Sequence, residues 1–310
     1  MIRRRGFQIS DCGLRIGGRI SNLKSRISGL GVLGLLLLIA AGAALAQRYY
    51  DRGNTPTWQV DKEFSHDVFT FVRIRYSSGY GGYEYGGYGG GPGRGRGRGY
   101  YGRSGGNWAT DFPDSDLNFS YRLHQLTSLE VAPEPIVIEL TDPDLVNYPF
   151  IYIVEPGRLV FSEPEVAALR AYLLNGGFLM VDDFWGVAEW ENFYHEIKRV
   201  FPDREPVELM LSDPIFHAVF DLKEKPQIPS INVALAGRPY GITWERPDAK
   251  EVDYRAIYDD KGRMMVITCH NTDLGDGWER EGEDEWFFHE FSEKKAYPLG
   301  INIVFYAMTH

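Results

Sequence analysis

The sequence predicts an α/β fold in which a mainly parallel sheet is covered by helices. Two short apolar runs, Phe150–Val154 and Phe178–Val181, have the composition of strands that are buried on both faces. A capped helix is predicted between them, because Ser162 and Glu165 form a capping-box pair and Gly176 ends the periodic segment. Strand, helix and strand in this order make one βαβ unit, which implies parallel strands and a right-handed crossover.

The other elements follow from the same kinds of pattern. Apolar alternation predicts further extended segments at Val68–Tyr76, Ile136–Leu140, Val207–Leu211 and Ile228–Leu235. Helical spacing predicts a helix from Ser115 or Asp116 to about Ser128, a helix at Trp190–Phe201 and a closing helix at Pro298–Met308. Turn residues predict a C-terminal hairpin with arms Tyr254–Tyr258 and Arg263–Thr268, followed by a Gly- and acid-rich loop at Leu274–Glu285.

Charge is distributed unevenly along the 310 residues. Residues 1–46 contain seven basic residues and one acid, which leaves 26 basic and 42 acidic residues in 47–310. Phosphate binding needs positive charge, so this acidic body argues against a nucleic acid partner. The two cysteines, Cys12 and Cys269, fall one in each part, so the body has no internal disulfide.

The N-terminal segment 1–46 is predicted to be a signal peptide or an N-terminal membrane anchor. Its basic start is followed by the uncharged apolar run Gly29–Ala46. The run ends in a small-x-small site at Ala44–Ala46, and it is also just long enough to cross a bilayer. In either case the positive-inside rule predicts an exported protein, either periplasmic or anchored in the inner membrane with its domain on the outer side.

The exported body divides into a polar lead at 47–67 and an α/β domain at 68–310. A Gly/Tyr/Arg-rich insert at 79–106 interrupts the domain, and fifteen of its 28 residues are glycine. This composition provides too little apolar area to offset the chain entropy, so the insert is predicted to be disordered.

Asp182 and Asp183 are the first candidates for a functional site. They follow the second strand of the βαβ unit, and ligands of open α/β sheets bind outside the carboxyl ends of the strands. One carboxylate would bind a divalent cation or act as a general base. Adjacent residues of an extended chain point to opposite faces, so only one of them is expected to face a given site. The structural alternative is that one caps the next helix and the other pairs with an arginine.

The remaining candidates are scattered along the chain. Cys269 and His270 suggest a nucleophile and a base, for which a second histidine such as His217 would be needed; the alternative is a buried structural thiol. Candidate catalytic residues are therefore Asp182, Asp183, His217, Cys269 and His270. Candidate metal ligands are Asp183, His217, His270 and Asp273, although their spacing matches no compact motif. Candidate ligand-binding residues are Asp111, Asp182, Asp183 and Trp185, in a cleft for which ordinary core packing is the alternative.

Several segments together resemble the bacterial family named domain of unknown function 4159. They include FTFVRIRY, LRAYLLNGGFLMVDDFWG, GRMMVITCHNTDLGDGWE and INIVFYA, and the similarity extends over Val68–His310. The resemblance implies a class I glutamine amidotransferase-like, flavodoxin-like domain with three α/β/α layers. Those enzymes carry a cysteine in the turn after a central strand. This chain has Asp182–Trp185 there, so the resemblance does not extend to a glutaminase nucleophile.

These observations favour a non-catalytic module of the cell envelope that binds a small-molecule ligand or an envelope protein. The alternative is a metal-assisted hydrolase that uses Asp182 or Asp183 with a histidine. No organic cofactor is predicted, and a divalent metal is the cofactor that the acidic strand end would accept. Contact with the membrane is predicted only through the N-terminal apolar segment, if it remains uncleaved.

Overall fold

The computed structural model describes residues 52–61, 67–78 and 107–310. The predicted targeting segment at 1–46, part of the polar lead and the Gly/Tyr/Arg-rich insert at 79–106 lie outside the described residues. Within the described ranges, no helix is both long enough and apolar enough to cross a membrane.

A seven-stranded sheet forms the centre of the domain. Its strands in chain order are β1 (Val72–Ile74), β3 (Ile136–Ile138), β4 (Phe150–Val154), β6 (Phe178–Phe184), β7 (Val207–Glu208), β8 (Asp253–Tyr258) and β9 (Met264–His270). Two further short strands, β2 (Ser77–Ser78) and β5 (Leu159–Val160), pair antiparallel with each other. The strand order in the large sheet is β3-β1-β4-β6-β9-β8-β7.

The large sheet is mainly parallel, as the sequence predicts. All pairs from β3 to β9 are parallel, and only β8 and β7 at one edge are antiparallel. Phe150 is the partner of Phe178 in the β4–β6 register, which confirms the βαβ unit. The antiparallel β8 and β9 form the predicted C-terminal hairpin, and Gly262 in its turn has a left-handed φ of +81°.

The helices are α1 (Asp114–Leu126), α2 (Glu163–Leu174), α3 (Gly186–Val200), α4 (Ile231–Gly237), α5 (Leu274–Glu279), α6 (Glu285–Phe287) and α7 (Tyr297–Thr309). A π-helical segment, Phe288–Ala296, joins α6 to α7. Short 3-10 turns lie at Asn107–Ala109, Pro143–Asn147, Pro156–Arg158, Pro214–Phe216 and Arg238–Tyr240. The predicted capping box starts α2, because Glu165 accepts a hydrogen bond from the backbone N–H of Ser162 at 2.7 Å.

Helices cover both faces of the sheet. Alternate side chains of β4 enter different cores: Tyr152 packs with residues of α1, α5 and α7, whereas Ile151 and Ile153 pack with residues of α2 and α3. Each core removes apolar side chains on one face of the sheet from water. This burial stabilises the fold by about 25 cal/mol per Å² of apolar surface. The central strands are therefore buried on both sides, which explains their unbroken apolar composition.

Two segments differ from their predicted structure. Ile228–Leu235 was expected to be extended, but α4 begins at Ile231, whose backbone N–H donates to Oδ2 of Asp276 at 2.7 Å. Leu274–Glu285 was expected to be a loop, but it contains α5. That helix forms because Oδ1 of Asp273 accepts from the backbone N–H of Asp276 at 2.6 Å, which caps its first turn.

The boundaries of two predicted helices also change. Ser115 and Asp116 do not cap α1, which begins at Asp114; both are buried inside the first turn. The helix predicted at Trp190–Phe201 begins earlier, at Gly186. The first turn of this helix lacks apolar periodicity. The side chain of Asp248 stabilises that turn, because it accepts a hydrogen bond from the backbone N–H of Val187 at 3.1 Å.

Candidate functional site

Four unusual backbone positions mark the candidate site. The described non-glycine residues with a left-handed φ are Asp111 (+62°), Glu155 (+47°), Asp183 (+56°) and Asn271 (+61°). Glu155 follows β4, Asp183 lies near the end of β6, and Asn271 follows β9. Three of the four therefore stand at the carboxyl ends of neighbouring parallel strands. Such conformations cost free energy, persist only where the surroundings hold them, and concentrate at functional sites.

Three carboxylates from separate parts of the chain meet at this edge. One oxygen from each of Asp111, Asp183 and Asp273 lies within 4.8 Å of the other two. Asp183 and Asp273 are only 9% and 5% exposed, whereas Asp111 is partly buried. These three residues are termed the carboxylate site below.

No described basic side chain forms an ion pair with any member of the carboxylate site. Burial raises the pKa of all three carboxyls well above the usual range. Negative neighbours raise them further, and for Asp183 the largest such contribution comes from Glu155. A buried carboxylate without a positive partner either keeps a proton or recruits a cation. Any negative charge on the carboxylate site is therefore not balanced by an ion pair within the described residues.

The space between the carboxylates depends on Gly275. Oδ2 of Asp111 is buried and no donor of the described residues reaches it. A Cβ at position 275 would lie 2.8 Å from this oxygen and 3.4 Å from Oδ1 of Asp273. The Tyr152 hydroxyl would lie 3.2 Å from the same Cβ, so the absence of a side chain at Gly275 prevents close contacts with all three oxygens.

Neighbouring residues hold Asp183 and Asp182 in different places. Trp185 is only 3% exposed, and its Nε1 donates to Oδ1 of Asp183 at 3.0 Å. Trp185 is thus buried and orients a carboxylate, while its role in ligand binding stays a prediction. Oδ2 of Asp182 accepts from the Tyr152 hydroxyl and the Gly275 N–H, both at 3.0 Å. The two aspartates therefore make different contacts, as predicted, and only Asp183 belongs to the carboxylate site.

A buried arginine holds the turn that carries Asp111. Arg73, on β1, is fully buried and forms an ion pair with Asp116 of α1. Its Nη1 donates to the backbone oxygens of Trp108 at 3.0 Å and Thr110 at 2.8 Å. The position of Asp111 is therefore fixed by an ion pair in the core rather than by the surface.

A family model described as "Domain of unknown function (DUF4159)" matches residues 99–308, which is more than half of the chain. The protein belongs to this family. The match begins later than the predicted Val68 and includes all three members of the carboxylate site. No curated protein matches the chain. The description of domain of unknown function 4159 assigns no activity to its members.

A second carboxylate group shares one residue with the carboxylate site. Oxygens of Asp111, Asp276 and Glu279 also lie within 4.8 Å of one another. This second group differs in having a basic partner. Nε of Arg280 lies 3.1 Å from Oδ1 of Asp276 and 2.7 Å from Oε2 of Glu279.

The structure of this member of domain of unknown function 4159 places neither predicted histidine ligand in a carboxylate group. His217 lies on an exposed turn, where it contacts Oδ1 of Asp221 at 2.6 Å and the Leu211 carbonyl at 2.7 Å. His270 is buried, and its Nε2 contacts the Gly186 carbonyl at 3.0 Å. Burial lowers the pKa of His270 to about 4, so this imidazole is neutral at physiological pH. Of the predicted metal ligands, only Asp183 and Asp273 come together.

Cys269 is unsuited to the predicted nucleophilic role. It lies within β9 and is fully buried. Burial raises the pKa of its thiol well above the usual range, and Asp182 raises it further. A reactive cysteine needs a lowered pKa and access to solvent. The geometry therefore agrees with the alternative of a buried structural thiol.

Some residues of this edge are not identified by sequence analysis. They are Arg73, Glu155, Gly275, Asp276 and Glu279. Asp276 had a usable signal, because an Asp three residues after Asp273 has the spacing of a helix N-cap and its N3 position. Arg73 also had one, since a single arginine within an apolar strand implies a buried acidic partner. The others depend on tertiary contacts.

Two hollows large enough for an organic ligand lie elsewhere in the described residues. One of about 380 Å³ is lined by residues that include Asp248, Asp253 and Asn271. Another of about 530 Å³ lies beside α2 at the opposite edge of the sheet and is lined by residues that include Leu145 and Tyr172. Neither is lined by a member of the carboxylate site.

Proposed function

We propose that this protein is a binding module that depends on a divalent cation, held by Asp111, Asp183 and Asp273. The observation that carries the proposal is the convergence of these carboxylate oxygens within 4.8 Å, without an ion pair to a described basic residue. Three negative charges at this separation, two of them buried and one partly buried, repel one another strongly. A divalent cation removes that repulsion and replaces the protons that would otherwise neutralise the site.

The ligand atoms favour a hard cation. All three are carboxylate oxygens, which suit Ca²⁺, Mg²⁺ and Mn²⁺. No described histidine or cysteine completes the group, and those are the residues that Zn²⁺ and Cu²⁺ prefer. Three carboxylates do not complete the coordination of such an ion, so water or an oxygen of a bound partner would supply the other ligands.

A binding role fits this scaffold better than catalysis. We infer a class I glutamine amidotransferase-like arrangement of sheet and helices in which Asp182 and Asp183 replace the nucleophilic turn. The only described cysteine, Cys269, is buried, and no described histidine reaches the site. The partner would be a small molecule or an envelope protein, if the predicted export of the chain is correct.

Neutralising one carboxylate tests the proposal. We expect Mn²⁺ or Ca²⁺ to raise the melting temperature of the purified protein. Asp183→Asn and Asp273→Asn should each weaken binding by about 100-fold, which corresponds to about 2.7 kcal/mol. Isothermal titration calorimetry measures the affinity, and circular dichroism verifies that each variant is folded.

Glu196→Gln provides the matched control. Glu196 is a buried carboxylate on α3, but Arg199 neutralises it at 2.6 Å. Its replacement should leave cation affinity unchanged within about twofold. If none of the three cations binds the wild-type protein, the proposed cation site is wrong.

Gly275→Ala should block the site without removing any carboxylate. The added methyl would lie 2.8 Å from Oδ2 of Asp111, so we expect at least about tenfold weaker cation binding. Gly177→Ala is the control, because its Cβ would be at least as crowded, at 2.3 Å from the Tyr172 ring, but just before β6, at the opposite end of that strand from Asp183. Gly177→Ala should lower the melting temperature and preserve affinity. Equal affinities for Gly275→Ala and wild type would contradict the assigned ion position.

A further inference from the structure

We infer that Arg280 is a built-in cation of the second carboxylate group, and that it limits this protein to one divalent ion. The inference rests on the proposed function and specifies the stoichiometry of that site. Asp111 belongs to both groups, so two ions bound to them would be neighbours that share its side chain. Paired metal ions bridged in this way are common in enzymes that activate water. Arg280 therefore determines which kind of site the protein has.

The guanidinium of Arg280 lies among the carboxylates of the second group. Its Nε donates to Oδ1 of Asp276 at 3.1 Å and contacts Oε2 of Glu279 at 2.7 Å. Its Nη1 donates to Oε1 of Glu283 at 3.1 Å. Burial alone would lower the pKa of Arg280, but Glu279 and Asp276 outweigh that effect and raise it. The positive charge is thus permanent and lies beside one carboxylate oxygen each of Asp276 and Glu279.

Helix α5 and the residue after it supply both the positive charge of Arg280 and its acidic partners. Asp276 and Glu279 lie within α5, and Arg280 follows its last residue, so Asp276 and Arg280 are four positions apart on one helical face. Oδ2 of Asp276 is also engaged, because it accepts from the backbone N–H of Ile231. A cation attached to the chain competes at a high effective concentration with ions from solution. A second divalent ion would have to displace it.

The carboxylate site lacks such a partner, and its unsatisfied oxygen is well placed for an ion. Oδ2 of Asp111 is buried, no described donor reaches it, and it faces the space that Gly275 leaves. The two groups thus share one residue but differ in their source of positive charge. One group has Arg280, and the other requires an ion from solution.

Mn²⁺ binding to the full-length protein tests the role of Arg280. We expect one Mn²⁺ per wild-type chain and an electron paramagnetic resonance spectrum of an isolated ion. Arg280→Met should bind two ions and show the spectrum of a spin-coupled pair, because Asp111 would bridge them. Arg280→Lys keeps a positive charge and should again bind one ion. Adding Asp276→Asn and Glu279→Gln to Arg280→Met should remove the second ion alone.

Arg280→Gln serves if Arg280→Met is unstable, because its amide can still donate to Asp276 without carrying a positive charge. This variant should also bind two Mn²⁺ ions. One bound ion in a folded Arg280→Gln chain would overturn the inference. So would two ions in the wild-type chain, or one ion in a folded Arg280→Met chain. A wild-type chain that binds no Mn²⁺ would instead contradict the proposed cation site itself.

Discussion

Asp116→Asn is expected to lower the free energy of unfolding by about 3–5 kcal/mol. Arg73 and Asp116 are both completely buried, so the substitution leaves a guanidinium charge in the core without its counterion. Removing one partner of a buried pair costs much more than the pair contributes, because the remaining charge stays out of water. Arg73 also holds the backbone oxygens before Asp111, so cation affinity should fall in the same variant. Urea denaturation measures the first effect, and calorimetry measures the second.

The same strand segment offers a matched control. Arg75, two residues after Arg73, forms an ion pair with Glu139, but their side chains are 53% and 51% exposed. Exposed pairs of this kind contribute about 0–1 kcal/mol. Glu139→Gln should therefore change the free energy of unfolding by no more than that and leave cation affinity unaltered. Equal losses in Asp116→Asn and Glu139→Gln would show that burial of the Arg73 pair has no special energetic role.

Local sequence signals are sufficient for the centre of the fold. The unit from β4 to β6 could be predicted because its apolar runs, its capping box and the glycine after α2 all indicate the same structure. Where local and tertiary signals differ, the prediction fails. The segment Ile228–Leu235 is apolar enough for a strand, yet Asp276, 45 positions after Ile231, accepts from the first N–H of α4. No local pattern contains that contact.

The candidate site was predictable only in part. Asp183 and Asp273 each stand at the end of an apolar strand, so their position at a carboxyl edge follows from sequence. Asp111 has no such signal as a metal ligand, because it joins them through a turn fixed by Arg73. His217 and His270 were candidates only because imidazole can bind metals and transfer protons. One faces solvent and the other packs between Phe184 and Trp190, which periodicity could not show.

Cation binding should strengthen steeply as the pH rises. Because the pKa of each member of the carboxylate site is raised, an ion must displace protons, and its affinity grows as those protons are lost. We expect 1 mM Ca²⁺ to leave the free energy of unfolding almost unchanged at pH 5 and to raise it by about 3 kcal/mol at pH 8. Asp183→Asn, which should bind about 100-fold more weakly, should reduce the increment at pH 8 to less than about 1 kcal/mol. An increment that does not vary with pH would contradict proton displacement.

The cation-free protein should respond to pH in the opposite direction. Burial raises the pKa of Asp182 and of Glu155 to about 7, whereas unfolded carboxyls titrate near 4. The folded state therefore holds more protons than the unfolded state between pH 4 and 7, and the free energy of unfolding falls as the pH rises through that window. His270 opposes this trend, because its lowered pKa adds stability as the pH rises from about 4 to 6.5.

The difference between cation-loaded and cation-free protein at each pH separates these contributions. His270 lies outside the carboxylate site and titrates equally with and without Ca²⁺, so its effect cancels in that difference. What remains is the exchange of protons for an ion at Asp111, Asp183 and Asp273, together with the response of Glu155, whose charge acts on Asp183. A binding module of this kind would hold its ion at neutral pH and release it on acidification. The slope of log affinity against pH would equal the number of protons that the ion displaces.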